Sequence, residues 1–444
     1  MPDIHEEKWR RLLVAAGVIL RLITFVALGP DLVDGHSAIV EHISKFWALP
    51  HPSLYHEAFQ APLYYVLAAP LFALTGKAKG AQLLSLALSI LTLYVFDFLI
   101  FQRRLIRPEA ARLYCLGIVA LLPQFVMFSL FVSNDTLVIC VGAFCAVQMY
   151  RFAANPNGYQ MVLLAVLVGT GLLTKSTFLA YVPATLGLII VCSLGRKPSS
   201  IAVRVAVSVA VIALLGSFNF VRNYRLTGKA TYTVLDSQPT PAWVLEQREM
   251  DHGLRSFADV NVLRLLSAPT LNAETESAYP VMLYATFWFA HAAESSYGWR
   301  GSMLEPIGSL IYLFALVPTA LFLMAGLGAL RPARIAHVAR QVANEPRDPA
   351  LLARLAVIAA FVTNVLMLLY VTAHYHLWSF MHGRLFFFPV LLGALLIFAK
   401  GFQLIENIGW ARAVVKLAIA CLGALFIFYL VTEAVISLKL MADL

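Results

Sequence analysis

Apolar run after apolar run in this 444-residue chain is long enough to cross a lipid bilayer, and no soluble core could absorb so many. Runs near 11–29, 81–101, 111–131, 135–152, 201–220, 305–328, 351–373, 385–403 and 412–436 each approach or exceed the roughly 17 to 25 residues that a membrane helix needs. A backbone in lipid must satisfy its own polar groups, so such runs are expected to be helices. With 60% hydrophobic and 13% charged residues and a mean hydropathy of +0.79, the chain reads as an all-α integral membrane protein. The formal charge of +9 does not point to nucleic acid. Its cations fall in short loops between apolar runs, where they orient helices.

The interval 160–194 is apolar too, but Lys175 divides it, and an unbroken span of that length would overshoot the bilayer. Two short helices meeting near Lys175 are expected. Placing the N-terminus inside puts Arg103, Arg104, Arg107, Arg112, Arg151, Arg196, Lys197, Arg204, Arg331, Arg334 and Arg354 in cytoplasmic loops. The run 62–76 is short for a span and, if it crossed, would send Arg103 to Arg112 outside. It is therefore expected to lie along the outer interface, leaving about eleven crossings. The opening Met1 to Arg11 is too charged for a cleaved leader and reads as a cytoplasmic lead into a retained first helix. The expected organisation is a membrane module over 1–221 with an external loop at 30–80, an external cap over 222–304 with helical character near Tyr279 to His291, and further membrane helices over 305–444. Cys115, Cys140, Cys145, Cys192 and Cys421 lie in apolar segments without metal-ligand spacing and read as small buried hydrophobes. Neither an internal repeat nor a low-complexity tract is present.

On this topology the external helix ends gather Asp34, Glu41, Glu57, Asp135, Lys175, Arg222, His374, His376, His382 and Arg384. A loop charge is ordinarily just solvated, so the collection matters more than any member. Lys175 between two apolar halves needs a wet cavity or a carboxylate partner. A carboxylate beside an acceptor hydroxyl can take its proton, and Asp34 and Glu57 are placed for that only if the fold joins them. A second carboxylate could hold a sugar or a divalent cation, Mg or Mn, with Glu57 and Asp135 as the candidate ligands. Arg222 and Arg384, each at the outer end of a helix, suit a phosphate, although arginines there also snorkel. Pro62-Leu63-Tyr64-Tyr65 joins a helix-starting proline to aromatics suited to the membrane interface, while Phe287-Trp288 and Tyr297-Gly298-Trp299-Arg300 suit a sugar face, a lipid tail or simple anchoring at the interface.

Several motifs in order resemble the GT-C class of polytopic glycosyltransferases, near the protein O-mannosyltransferase and lipid A aminoarabinose transferase branch. They are Asp34 after the first helix, Glu57 to Tyr65 (Glu-Ala-Phe-Gln-Ala-Pro-Leu-Tyr-Tyr), Ser133 to Leu137 (Ser-Asn-Asp-Thr-Leu), Gly171 to Thr177, Phe220 to Tyr224 and His382 to Pro389. The resemblance implies inverting transfer of a sugar from a polyprenyl-phosphate donor to a lipid, glycan or protein acceptor, at the periplasmic face of a bacterial inner membrane. Asp34 would be the catalytic acidic residue. Glu57, Gln60, Tyr64, Asp135, Lys175, Arg222, Tyr297 and Arg384 would contact substrate or metal. Members of the class often carry a doubled acidic pair after the first helix. Here Gly35 and His36 follow Asp34, which leaves Asp31 as a competing base. Two other classes fit the topology: a lipid or sugar transporter, which would thread charges through the middle of its helices, and a noncatalytic envelope-assembly protein.

Overall fold

Among the described residues every regular element is helical, as a backbone in lipid requires. The computed structural model describes residues 4–30, 35–236, 240–290, 298–334, 336, 340–341 and 348–442. Asp31, Asp34 and Tyr297 lie outside them. The first half comprises α1 (Ile4–Ala27), α2 (His36–Phe46), α3 (Leu63–Thr75), α4 (Ala78–Asp97), α5 (Glu109–Leu121), α6 (Pro123–Phe128), α7 (Asn134–Ala154), α8 (Gly158–Thr174), α9 (Tyr181–Cys192) and α10 (Pro198–Thr227). Short helices α11 (Ala242–Met250), α12 (Leu254–Ala258), α13 (Ala273–Glu276) and α14 (Tyr279–Trp288) follow. The chain then runs through α15 (Gly298–Ala329), α16 (Pro349–Tyr375), α17 (Gly383–Phe387), α18 (Leu391–Ile405) and α19 (Gly409–Ala442).

Among the described residues, seven segments are long and apolar enough to cross a membrane: α4 with its continuation to Gln102, α7, α10, α15, α16, the α17–α18 stretch and α19. The expected total of about eleven adds α1, α5 with α6, α8 and α9 to these, and leaves α3 lying flat. The interval 160–194 divides where expected. α8 stops at Thr174, Lys175 is extended (φ −159°, ψ 136°), and a tight turn at Ser176–Ala180 leads into α9.

Two boundaries depart from the sequence reading. The run 111–131 is not one helix, because Pro123 has no N–H to continue α5 and its ring opposes an unbroken turn. The interval 222–304 expected as a cap overlaps helices at both ends, since α10 continues through Arg222 to Thr227 and α15 spans Gly298–Ala329. Within that interval helix α14 buries Val281, Met282, Tyr284, Ala285 and Trp288. Of the cysteines, Cys192 and Cys421 are only half-buried, and all five are free thiols.

The broken helix is closed by a cation. Arg21 of α1 is fully buried, donating from Nε to Ser89 Oγ at 2.8 Å and from its two Nη atoms to the carbonyls of Gly17, Ala120 and Val119 at 3.0, 3.1 and 2.9 Å. Val119 and Ala120 are residues whose acceptors the break at Pro123 would otherwise strand. At one end of the bundle Arg10 grips Asp97 with two 2.6 Å bonds, and Arg112 grips Glu6 at 2.7 and 2.9 Å, joining α1 to α4 and α5. Most of the exposed arginines and lysines expected inside lie toward this end. The helix ends that carry the candidate chemistry lie at the other.

Candidate functional site

Three helix breaks converge on Asp135. Ser133 caps α7, its Oγ accepting from the Asp135 N–H at 3.2 Å, and an acidic residue in the first turn suits the positive end of a helix. Lys175, released from α8 by its extended backbone, donates Nζ to Asp135 Oδ1 in a very short contact. Arg384, the second residue of α17, places Nη1 3.8 Å from Asp135 Oδ2. Its guanidinium lies over the Phe128 ring, 4.8 Å from the centroid, a favourable face for a cation. Phe128 ends α6, so the Pro123 break that turns the chain also delivers this ring. The nearly buried His36 is close enough to interact electrostatically with Asp135, and its Nδ1 meets Tyr65 Oη at 2.8 Å.

Gly383 is what allows the arginine to be there. A Cβ at Gly383 would lie 2.6 Å from the backbone N and Cα of Phe287, so no side chain fits between α17 and α14. Its N–H donates to Thr286 Oγ1 at 2.8 Å, and Asn364 Nδ2 donates to the Leu385 and Phe386 carbonyls at 3.0 Å each.

A second chain of contacts joins the loop before α3 to α7. Glu57 Oε2 accepts from Gln60 Nε2, and Gln60 Oε1 accepts from Asn134 Nδ2, both contacts being very short. The loop itself is held from α10. Asn219 and Asn223 donate to the Phe59 carbonyl at 3.0 and 2.9 Å, and Arg222 donates to the carbonyls of Ala58, at 3.1 Å, and Pro50. Both Nη atoms of Arg222 are thus committed to the loop. These bonds hold the loop that carries Glu57 and Gln60, and Arg384 and Lys175 are the cations gathered on Asp135. Tyr64 is fully buried, its Oη 2.6 Å from Ser85 Oγ, so it packs in the core of the bundle.

The two expected metal ligands, Glu57 and Asp135, each meet other side chains. Asp135 meets Lys175 with one oxygen and Arg384 with the other, Glu57 meets Gln60 and His56, and no cluster of three His, Cys, Asp or Glu side chains occurs among the described residues.

A separate polar cluster ties the short helices to the bundle. Asp251 accepts from Tyr279 Oη at 2.8 Å and from the Gly253 N–H at 3.1 Å, and its other oxygen meets His376 Nδ1. Burial alone would raise this carboxyl, but the hydrogen bonds of Tyr279 and His376 outweigh it and hold Asp251 below the usual carboxylate range. Burial pushes the Tyr279 hydroxyl the other way. His376 caps α16 with a left-handed backbone (φ 58°). Read from sequence, His376 is gathered among the external helix ends, but Asp251 is passed over. Asn134, Phe128 and His36 were also missed as site members, although Asn134 sits inside the Ser-Asn-Asp-Thr-Leu motif.

Residues 59–219 match the family model of dolichyl-phosphate-mannose-protein mannosyltransferase. That stretch, a little over a third of the chain, holds Gln60, Asp135 and Lys175 and stops short of Arg222 and Arg384. ArnT from Cupriavidus metallidurans bound to undecaprenyl phosphate is similar at 15% identity, over 96% of this chain and 78% of that one, with a TM-score of 0.39. The archaeal oligosaccharyltransferase AglB from Archaeoglobus fulgidus, in complex with an inhibitory peptide and a dolichol-phosphate, is similar at 12% identity over 98% of this chain, with a TM-score of 0.47. The match spans only 56% of AglB. No curated protein sequence matches. Likeness this distant assigns no residue a role.

Proposed function

We propose that this protein is a GT-C glycosyltransferase that moves a sugar from a polyprenyl-phosphate donor to an acceptor hydroxyl. The observation that carries the reading is the pair of cations, Lys175 and Arg384, gathered on Asp135 at converging helix ends. An ammonium and a planar guanidinium brought together at helix ends are good phosphate partners. Part of this site falls within the stretch that matches a family named for a dolichyl-phosphate sugar.

In the proposed reaction the acceptor hydroxyl attacks the anomeric carbon from the side opposite the phosphate. The bond from that carbon to the phosphate oxygen breaks, its electron pair goes to the phosphate, and the hydroxyl proton goes to a carboxylate, with inversion at carbon. Lys175 and Arg384 stabilise the charge that develops on the departing phosphate. Asp34 is the proposed base, with Asp31 as its competitor. No step is routed through a metal. The basic residues at the opposite end of the bundle support an external, periplasmic placement of the site in a bacterial inner membrane. The acceptor is a lipid, glycan or protein.

Purified protein should release sugar from undecaprenyl-phosphate sugars onto an acceptor, and Asp34→Asn should cut turnover by roughly 10² to 10⁴ while leaving donor binding intact. Movement of donor across a vesicle bilayer without bond cleavage would favour a transporter instead.

A further inference from the structure

Asn134 opens α7 one residue before Asp135 and is fully buried. Its amide can face only one way. Nδ2 donates to the Thr174 carbonyl at 3.3 Å, and a backbone carbonyl can only accept, so the nitrogen is the end that faces Thr174. The same nitrogen donates to Gln60 Oε1. Gln60 is oriented in turn by Glu57, whose carboxylate, when ionised, accepts from Gln60 Nε2. Glu57, Gln60 and Asn134 therefore form a directed series in which every amide nitrogen points toward the carboxylate. The end left over is Asn134 Oδ1, a buried acceptor that no donor among the described residues reaches. Buried acceptors are rarely left unmet, and one that a scaffold holds in place this firmly calls for an explanation.

Its position says what kind of donor it lacks. Asn134 precedes Asp135 and Thr174 precedes Lys175, so the amide pair sits one residue away from the ion pair on both helices. If the phosphate of a lipid-linked sugar lies at Lys175 and Arg384, a group on the attached sugar is the part that comes next. A neutral sugar hydroxyl is a donor that could meet this acceptor.

We propose that Asn134 Oδ1 accepts a hydrogen bond from a sugar hydroxyl of the donor and so selects for that hydroxyl, with Gln60 and Glu57 as positioning residues that fix its direction. This rests on the reading of the site as a polyprenyl-phosphate-sugar site.

The test measures binding to the protein in nanodiscs of undecaprenyl phosphate, of undecaprenyl-phosphate mannose, glucose and galactose, and of the monodeoxy analogues of whichever of these binds best. Wild-type protein should lose about tenfold or more with one deoxy analogue, as sites that hydrogen-bond a substrate hydroxyl do. Asn134→Leu should bind undecaprenyl phosphate as wild type does, bind the intact donor about tenfold more weakly, and show no further loss with that analogue. Gln60→Leu, a change in a half-buried loop residue, should give the same pattern with a smaller loss, and it keeps the test open should Asn134→Leu fail to fold. Equal losses for undecaprenyl phosphate and its sugars, or losses from deoxygenation and mutation that simply add, would overturn the proposal and leave the phosphate reading standing. Wild-type protein that binds no undecaprenyl phosphate at all would instead remove the reading of the site itself.

Discussion

Arg384 shows how much a single side chain can ask of its surroundings: a glycine before it so that α17 can touch α14, a phenylalanine beneath its guanidinium, and a carboxylate at 3.8 Å. The sequence made the arginine visible as a cation at a helix end beside Gly383. It could not show Phe128, because that contact exists only through the break at Pro123. Lys175 was more legible, since a lysine within an apolar stretch demands a partner, and that partner proved to be Asp135 of the neighbouring helix. Arg222 read identically to Arg384 from sequence, as an arginine at an outer helix end, and only the three-dimensional contacts separate a loop clamp from a site cation. Arg384→Lys keeps the charge but loses the planar fork over the ring. It should reduce transfer by about 10²-fold, in the range found when one preorganised charge-stabilising donor is removed. Donor titrations should show the defect while the amount of folded protein stays the same, and an undiminished rate would return Arg384 to a snorkelling role.

At the scale of elements, the helices that could be read are those whose apolar run ends at a polar or breaking residue, such as α8 at Lys175. What could not be read is the cost of breaking one inside the bundle. Pro123 strands acceptors of α5 deep in the membrane domain, and Arg21 satisfies them from α1, an arrangement with no local sequence signature. Arg21→Met would leave the Val119 and Ala120 carbonyls and Ser89 without this donor, at roughly 1 to 3 kcal/mol for each unmet buried group. The expected result is a large drop in melting temperature in detergent, with Arg21→Lys intermediate because one ammonium cannot span both helices. The tie between α11, α14 and the end of α16 makes a different forecast. Asp251 is held below its usual range in the folded protein, so it contributes stability that is present above the unfolded value of about 3.9 and is lost as pH falls through the lower folded value. Melting temperature should therefore decline below about pH 4. Asp251→Asn should melt lower at neutral pH, with a shallower acid decline. Equal pH profiles for the two proteins would mean that this tie adds nothing to stability.

For the whole molecule, orientation is the property on which the proposed external placement of the site depends, and that placement rests on where the charges stop. Arg10, Arg112, Arg331 and Arg334 lie toward one end of the bundle, while Asp135, Lys175, Arg384 and the short helices α11 to α14 lie toward the other. The all-helical architecture was legible because lipid leaves a backbone no alternative. Where α10 ends was less legible, because it runs on through Arg222 and Asn223, whose side chains bond the loop before α3, a contact that a hydropathy pattern does not record. Two exposed positions on opposite sides test the orientation. Leu254, at the start of α12, is 88% exposed, and Leu330, just after α15 and beside Arg331, is 71% exposed. Both can be made cysteine in a background where the half-buried Cys192 and Cys421 are serine. In intact spheroplasts a membrane-impermeant maleimide should label Leu254→Cys at once and Leu330→Cys only after the membrane is opened. The reverse pattern would place the cations of Lys175 and Arg384 at the cytoplasmic face, and with them any lipid-phosphate sugar the protein uses.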